Sequence, residues 1–170
     1  GLGACTHILP TLGYVPCGTV VRMRRVGIVL AVALPLTGID LWLKTVQPTE
    51  PWAYHQRSVA WLALSLSLAA GLVLLTRIPS MLIPPAAGVL TGGLLGNALS
   101  ASWNEMRVPN PIVLAGDRTT IAFNLADVWT LMGIGVLVAT IGGWLVQNRG
   151  LLPAPADVRA RWMRAFRRLP

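Results

Sequence analysis

The residues best suited to chemistry in this sequence lie where long apolar stretches begin or end. Asp127, in the string Phe123-Asn124-Leu125-Ala126-Asp127, stands at the start of an apolar run long enough to cross a bilayer. A carboxylate is costly at such a position, so an ionisable residue there indicates a functional site. Asn124 or Asp127 could equally be a helix N-cap that accepts first-turn N–H bonds. The sequence leaves both interpretations open.

Two further polar groups are predicted to lie at the same depth as Asp127. Asp40 and Lys44 are four residues apart near the end of the first apolar stretch, so on a helix they share a face and can pair. Asn97 follows the glycine-rich stretch 88–96, whose small residues let a neighbouring helix approach closely. These groups form either a structural belt of caps and interhelical hydrogen bonds or a site at the membrane–water boundary.

Composition places the chain among integral membrane proteins. Hydrophobic residues make up 54% of its 170 positions and charged residues only 12%, against roughly 25% charged in soluble domains. The net charge of +8 invites a nucleic-acid partner, but the arginine distribution argues for membrane orientation and against nucleic acid. Cys5 and Cys17 lack the partners and spacing of a metal site, so no metal or cofactor is expected. A disulfide between these cysteines stays open.

Four stretches are predicted to span the membrane, at about 26–43, 58–75, 81–99 and 125–146. The loops between them divide the basic residues unevenly, and the richer side should be cytoplasmic. That side carries Arg22, Arg24, Arg25, Arg77, Arg149, Arg159, Arg161, Arg164, Arg167 and Arg168. The prediction is an all-α membrane protein, a bundle of four transmembrane helices with both termini cytoplasmic.

The segments outside these spans have their own character. The outer loop 100–124 is the longest connection, and apolar residues around Ala115-Gly116-Asp117-Arg118 predict a small extracytoplasmic hairpin or cradle. Residues 1–22 lack a sustained period and are expected to be an extension of a membrane domain at 23–149. Residues 150–170 form a basic tail with apolar residues at helical spacing, which predicts an amphipathic cytoplasmic helix on an anionic leaflet.

Several strings, in this order and at these spacings, resemble bacterial lipoprotein signal peptidase, or signal peptidase II. They are Asp40-Leu41-Trp42-Leu43-Lys44, Gly92-Gly93-Leu94-Leu95-Gly96-Asn97, and the Phe123–Asp127 string after a polar loop. The resemblance covers about residues 23–149. It implies a multi-pass protein of the bacterial inner (plasma) membrane, in contact with membrane lipid, whose partner is a lipid-modified lipoprotein precursor.

The resemblance also implies a chemistry. Members of the family are intramembrane aspartic peptidases in which two aspartates activate a water molecule that attacks the peptide bond before a lipid-modified cysteine. Two close carboxyl groups can share one proton, so that one acts as base while the other acts as acid. By resemblance, Asp127 is one member of this pair. Asp40, Lys44, Asn97 and Asn124 are then supporting residues that hold the site and its substrate.

The sequence departs from the family where the second aspartate belongs. Asn110 stands in its place, and Ser100 and Ala101 replace an Asp-Arg pair that the family usually carries. An amide cannot take a proton from water at neutral pH. We therefore expect a non-proteolytic homologue that binds a lipoprotein, a lipid or a membrane-complex partner at its outer-leaflet groove. The alternative is an active, divergent peptidase that uses Asp127 with Asp117 or Glu105.

Overall fold

Four α-helices form the body of the protein, which a computed structural model describes over residues 7–9, 13–15, 17–117 and 119–151. The helices are α1 (Cys17–Val46), α2 (Val59–Leu72), α3 (Ile83–Trp103) and α4 (Leu125–Gln147). Short 3₁₀ turns lie at Pro51–Ala53, Val73–Arg77 and Arg149–Leu151. The chain is therefore mostly helical, as its continuous apolar stretches predict.

Short strands form three antiparallel pairs in the described residues: β1 (His7–Leu9) with β2 (Gly13–Val15), β3 (Tyr54–Gln56) with β4 (Arg107–Pro109), and β5 (Ile112–Ala115) with β6 (Thr120–Phe123). The β5–β6 pair confirms the hairpin predicted around Gly116. Strands β3 to β6 lie in the connections from α1 to α2 and from α3 to α4. We call this end of the bundle the strand end.

Helix α3 is the centre of the bundle. Most of its side chains are buried, and α1, α2 and α4 pack around it. The other helices turn large apolar side chains outward, including Leu34, Leu64 and Leu131, which are 59%, 68% and 73% exposed. Within the described residues, three helical stretches are long and apolar enough to cross a membrane: Val21–Val46, Val59–Arg77 and Leu125–Gln147. An outward apolar surface on long helices is what a lipid environment favours.

Glycines of α3 allow α1 to approach closely. Gly88, Gly92 and Gly96 recur every four residues and so share one face of the helix. A Cβ on Gly92 would lie 3.1 Å from the carbonyl oxygen of Ala33 in α1. A Cβ on Gly96 would lie 2.7 Å from a carboxylate oxygen of Asp40. This face therefore fixes the spacing of α1 and α3, and it leaves room for the Asp40 carboxylate inside the bundle.

A second set of glycines brings α4 against α3. A Cβ on Gly93 of α3 would lie 2.6 Å from the carbonyl oxygen of Ala126 in α4. From the other side, a Cβ on Gly133 of α4 would lie 2.5 Å from the backbone of Leu90. The start of α4 is thereby held against the last part of α3, beside Asn97.

Several helix boundaries differ from the sequence prediction. Helix α3 ends at Trp103, inside the predicted outer loop 100–124. Helix α1 begins at Cys17, inside the predicted extension 1–22, and no proline interrupts residues 17–34. The second predicted span continues beyond α2 as a 3₁₀ turn, whose carbonyl at Thr76 accepts a hydrogen bond from Arg25 at 3.1 Å. Cys5 and residues 152–170 lie outside the described residues, so the disulfide stays an open alternative and the amphipathic tail stays a prediction.

The close contact of α3 and α4 predicts that replacing two different glycines of α4 by alanine changes the free energy of unfolding by different amounts. Gly133→Ala should lower the free energy of unfolding by about 1–3 kcal/mol, because the new methyl group meets the backbone of Leu90 and the helices must separate. Gly135→Ala is the matched control, since nothing lies within 4 Å of the position that its methyl group would take, and Ala favours a helix. Thermal unfolding in detergent measures both, and equal stability of the two variants would contradict the packing described here.

Candidate functional site

The first turn of α4 is closed by a reciprocal pair of hydrogen bonds. The side chain of Asn124 accepts a bond from the Asp127 N–H at 3.0 Å. The Asp127 Oδ2 atom accepts one from the Asn124 N–H at 3.3 Å. This is a capping box, so the cap interpretation of Asn124 and Asp127 is confirmed.

The second carboxylate oxygen of Asp127 belongs to a larger network. Asp127 Oδ1 accepts a hydrogen bond from Asn97 Nδ2 at 2.9 Å. Asn97 Oδ1 in turn accepts one from Lys44 Nζ at 2.9 Å. The amide of Asn97 therefore joins a cation on α1 to a carboxylate on α4. Capping and interhelical bonding coexist at Asp127, since each uses a different oxygen.

Asp40 and Lys44 form the ion pair that their spacing predicts. Lys44 Nζ lies 2.7 Å from Asp40 Oδ2, and the side chains of Lys44 and Asp40 are 4% and 0% exposed. The other oxygen, Asp40 Oδ1, accepts a bond from the Ala126 N–H at 2.8 Å. A carboxylate at the first turn of a helix is stabilised by the N–H groups exposed there. Asp40 therefore ties α1 to the beginning of α4.

Asn110 enters the network from the loop after β4. Its Oδ1 accepts a short hydrogen bond, 2.5 Å, from Asn124 Nδ2. The Asn110 N–H donates to the carbonyl of Ala53 at 3.2 Å, and Asn110 is 1% exposed. The structure thus brings together the six sequence-predicted residues Asp40, Lys44, Asn97, Asn110, Asn124 and Asp127.

His55 is a member of the network that the sequence analysis missed. Its Nδ1 atom lies 2.9 Å from Asn110 Nδ2. An amide nitrogen donates, so His55 Nδ1 is the acceptor in this contact. His55 is exposed on β3. The sequence shows His55 only as a polar residue in the loop between two predicted spans. The pairing of β3 with β4 is what places it beside Asn110.

The three carboxylates with suggested catalytic roles, Asp127, Asp117 and Glu105, differ in burial and in hydrogen bonding. Asp127 is half-buried, and each of its carboxylate oxygens accepts a hydrogen bond. Oδ1 accepts from the side-chain amide of Asn97, and Oδ2 accepts from the backbone N–H of Asn124. Asp117 lies exposed in the turn of the β5–β6 hairpin, and Glu105 lies exposed between α3 and β4. Within the described residues, neither of these two carboxylates forms a hydrogen bond with Asp127.

This arrangement has a chemical consequence. Asn110 has the size of an aspartate and lies beside Asn124, but its amide can neither release nor take up the proton that an acid pair shares. Ser100 and Ala101, at the positions where the Asp-Arg pair is missing, are buried on α3. The described residues also contain no group of three His, Cys, Asp or Glu side chains able to hold a metal ion. The two carboxylates of the network have different partners: Asp40 pairs with Lys44, and Asp127 accepts hydrogen bonds from Asn97 and Asn124.

Comparison with known proteins supports the fold. No family model matches the chain, and no curated protein matches it. A solved structure of a bacterial membrane enzyme, determined by the in meso method at 2.3 Å resolution, is similar with a TM-score of 0.54. The match covers 75% of this chain and 93% of that one, at 13% sequence identity. At this identity the likeness shows the fold alone. Together with the three helical stretches long and apolar enough to cross a membrane, it indicates a membrane protein whose fold is similar to that of a bacterial membrane enzyme.

The buried ion pair predicts a large loss of stability when its cation is removed. Lys44→Met should lower the free energy of unfolding by about 3–5 kcal/mol, because it leaves the Asp40 carboxylate buried without its partner. The double variant Asp40→Asn/Lys44→Met should recover part of this loss, since it removes the unpaired charge. Arg77→Met, at an exposed position far from the strand end, is the control. An unchanged unfolding temperature of Lys44→Met in detergent would argue against the ion pair.

Proposed function

We propose that the chain is a signal-peptidase-II-like protein of the bacterial inner membrane, with four spans and both termini in the cytoplasm. The central helix α3 would be the fourth span. Its glycines, prolines and Asn97 lower its apolar character, and the three other helices shield these residues from lipid. The strand end would then face outward, in agreement with the distribution of arginines in the sequence.

Within this fold, we propose a non-proteolytic role. The observation that carries the proposal is the hydrogen-bonded series from Asp127 through Asn124 to Asn110. An aspartic peptidase needs two carboxyl groups that share a proton. Here the group beside Asn124 is an amide, and its oxygen already accepts a hydrogen bond. The site keeps the hydrogen-bonding framework of such a pair and lacks its acid–base chemistry.

The proposed ligand is a lipid-modified lipoprotein precursor, held without cleavage. Asp127 is half-buried and so remains accessible at the start of α4, where its carboxylate can accept a hydrogen bond from a peptide N–H. The β5–β6 hairpin exposes Leu114 and Ile121, each about three-fifths accessible, beside this end of the bundle. A polar centre flanked by exposed apolar side chains suits a peptide that carries acyl chains.

The proposal predicts binding without turnover. Purified protein in detergent should bind a fluorescent peptide that carries a diacylglyceryl cysteine, and mass spectrometry should recover the peptide intact. The same peptide without the lipid should bind more weakly, because it loses the burial of its acyl chains. Cleavage before the cysteine that disappears in Asp127→Asn would overturn the non-proteolytic role and favour the alternative, an active divergent peptidase.

Two aspartates at the strand end should differ in their effect on this binding. Asp127→Asn should weaken lipopeptide affinity by roughly tenfold, because a charge-assisted hydrogen bond contributes about 1.5–3 kcal/mol. Asp117→Asn, in the exposed hairpin turn, should leave the affinity unchanged. A titration monitored by fluorescence anisotropy measures both variants. Equal affinity of Asp127→Asn and the unaltered protein would show that Asp127 takes no part in binding.

A further inference from the structure

A cavity lies on the face of the β3–β4 ribbon opposite to the His55–Asn110 contact. Neighbouring residues of a strand point to opposite faces, so Tyr54 points away from the side on which His55 contacts Asn110. The cavity has a volume of about 420 Å³, within the range of roughly 300–1,000 Å³ typical of small-molecule sites. Its lining consists of Pro51, Tyr54, Trp103, Asn104, Glu105 and Arg107.

The backbone that forms this cavity is strained. Glu105 and Met106 have φ angles of 52° and 65°, in the left-handed region that residues other than glycine seldom adopt. Hydrogen bonds from β3 and the residue after it stabilise this conformation: the Arg57 N–H donates to the Met106 carbonyl at 2.7 Å, and Gln56 Nε2 donates to the Glu105 carbonyl at 3.4 Å. Such strain persists where the surrounding structure enforces it, and it is common at ligand sites. Here it occurs at Glu105, which lines the cavity, and at Met106, which lies between Glu105 and the cavity residue Arg107.

The charges of this cavity are complementary to a zwitterion. Glu105 and Arg107 carry opposite charges, and within the described residues neither forms a salt bridge. A guanidinium group binds a phosphate through paired hydrogen bonds. A carboxylate, an amide oxygen of Asn104 and the faces of Tyr54 and Trp103 together suit an ammonium group. The N–H groups of a primary ammonium could donate to both Glu105 and Asn104, whereas a quaternary ammonium could not.

The position of the cavity favours a lipid as the source of this zwitterion. Trp42, Trp52 and Trp103 are 62%, 55% and 68% exposed at the strand end. Exposed tryptophans concentrate at the level of the lipid headgroups in membrane proteins. The cavity therefore lies where phosphates and ammonium groups of the bilayer are found.

We propose that this cavity binds the headgroup of a zwitterionic phospholipid with a primary ammonium, with the phosphate on Arg107 and the ammonium between Glu105 and the aromatic rings. The site is separate from the Asp127 network and does not depend on the fate of a lipoprotein precursor. A bound lipid at this point would hold the β3–β4 ribbon, and with it His55, at the membrane surface.

Native mass spectrometry in detergent tests the proposal with two lipids of identical short acyl chains, phosphatidylethanolamine and phosphatidylglycerol. The unaltered protein should bind phosphatidylethanolamine roughly tenfold more tightly, because only this lipid supplies the ammonium group. Glu105→Gln should abolish the preference while leaving phosphatidylglycerol binding unchanged. Arg107→Gln should weaken both lipids, and Arg77→Gln, an exposed arginine at the opposite end, should change neither.

Other outcomes would overturn the proposal. Equal affinity for the two lipids, or a preference that survives in Glu105→Gln, would exclude the assigned ammonium site. Glycerophosphoethanolamine, which lacks acyl chains, should bind far more weakly, and equal binding of this soluble compound would exclude a lipid as the natural ligand. Tyr54→Leu is a second variant that tests the aromatic contact to the ammonium if Glu105→Gln folds poorly. Unfolding temperatures confirm that the compared variants are folded.

Discussion

The buried ion pair between Asp40 and Lys44 is the interaction on which the polar site depends. Asp40 binds the first turn of α4 through the Ala126 N–H, and Lys44 holds Asn97, which in turn holds Asp127. Burying two charges is costly unless their geometry and hydrogen bonds compensate. Gly96 makes this geometry accessible, because any larger residue would occupy the space of the Asp40 carboxylate. The close packing of α1 against α3 and the position of the buried ion pair therefore depend on the same glycine.

Replacing an aspartate by an asparagine separates two properties that a catalytic pair combines. The amide of Asn110 has the shape of a carboxyl group and hydrogen-bonds to Asn124 and His55, so the framework can persist. It has no proton to share at neutral pH, and the proposed loss of acid–base catalysis rests on this property. The same strand end holds the cavity lined by Glu105 and Arg107, for which we propose a lipid headgroup.

Much of this organisation could be predicted from the sequence, for identifiable reasons. Continuous apolar stretches define the helices, the spacing of Asp40 and Lys44 defines their pair, and the hairpin follows from apolar residues around Gly116. The β3–β4 ribbon could not be predicted, because three-residue strands from distant loops leave no periodic signal. His55 and the cavity beside Glu105 depend on that ribbon and escape prediction with it. The sequence offers two alternative interpretations of Asp127, a helix cap and a functional site. The structure shows the cap and an interhelical hydrogen bond on different carboxylate oxygens, and the functional site stays a prediction.

In the described part of the chain, the Asp127 carboxylate accepts its hydrogen bonds from N–H groups of Asn97 and Asn124 and makes none with another carboxyl group, and the proposed loss of proteolysis depends on this claim above all. An experimental structure of the protein with an uncleaved lipid-modified peptide tests it through the distances from the Asp127 carboxylate to the carboxyl groups of Asp117 and Glu105. We predict that Asn97 and Asn124 remain the hydrogen-bonding partners of Asp127, at the 2.9 Å and 3.3 Å found here, and that Asp117 and Glu105 stay beyond hydrogen-bonding reach. A carboxyl oxygen of Asp117 or Glu105 within about 3 Å of Asp127 would contradict it.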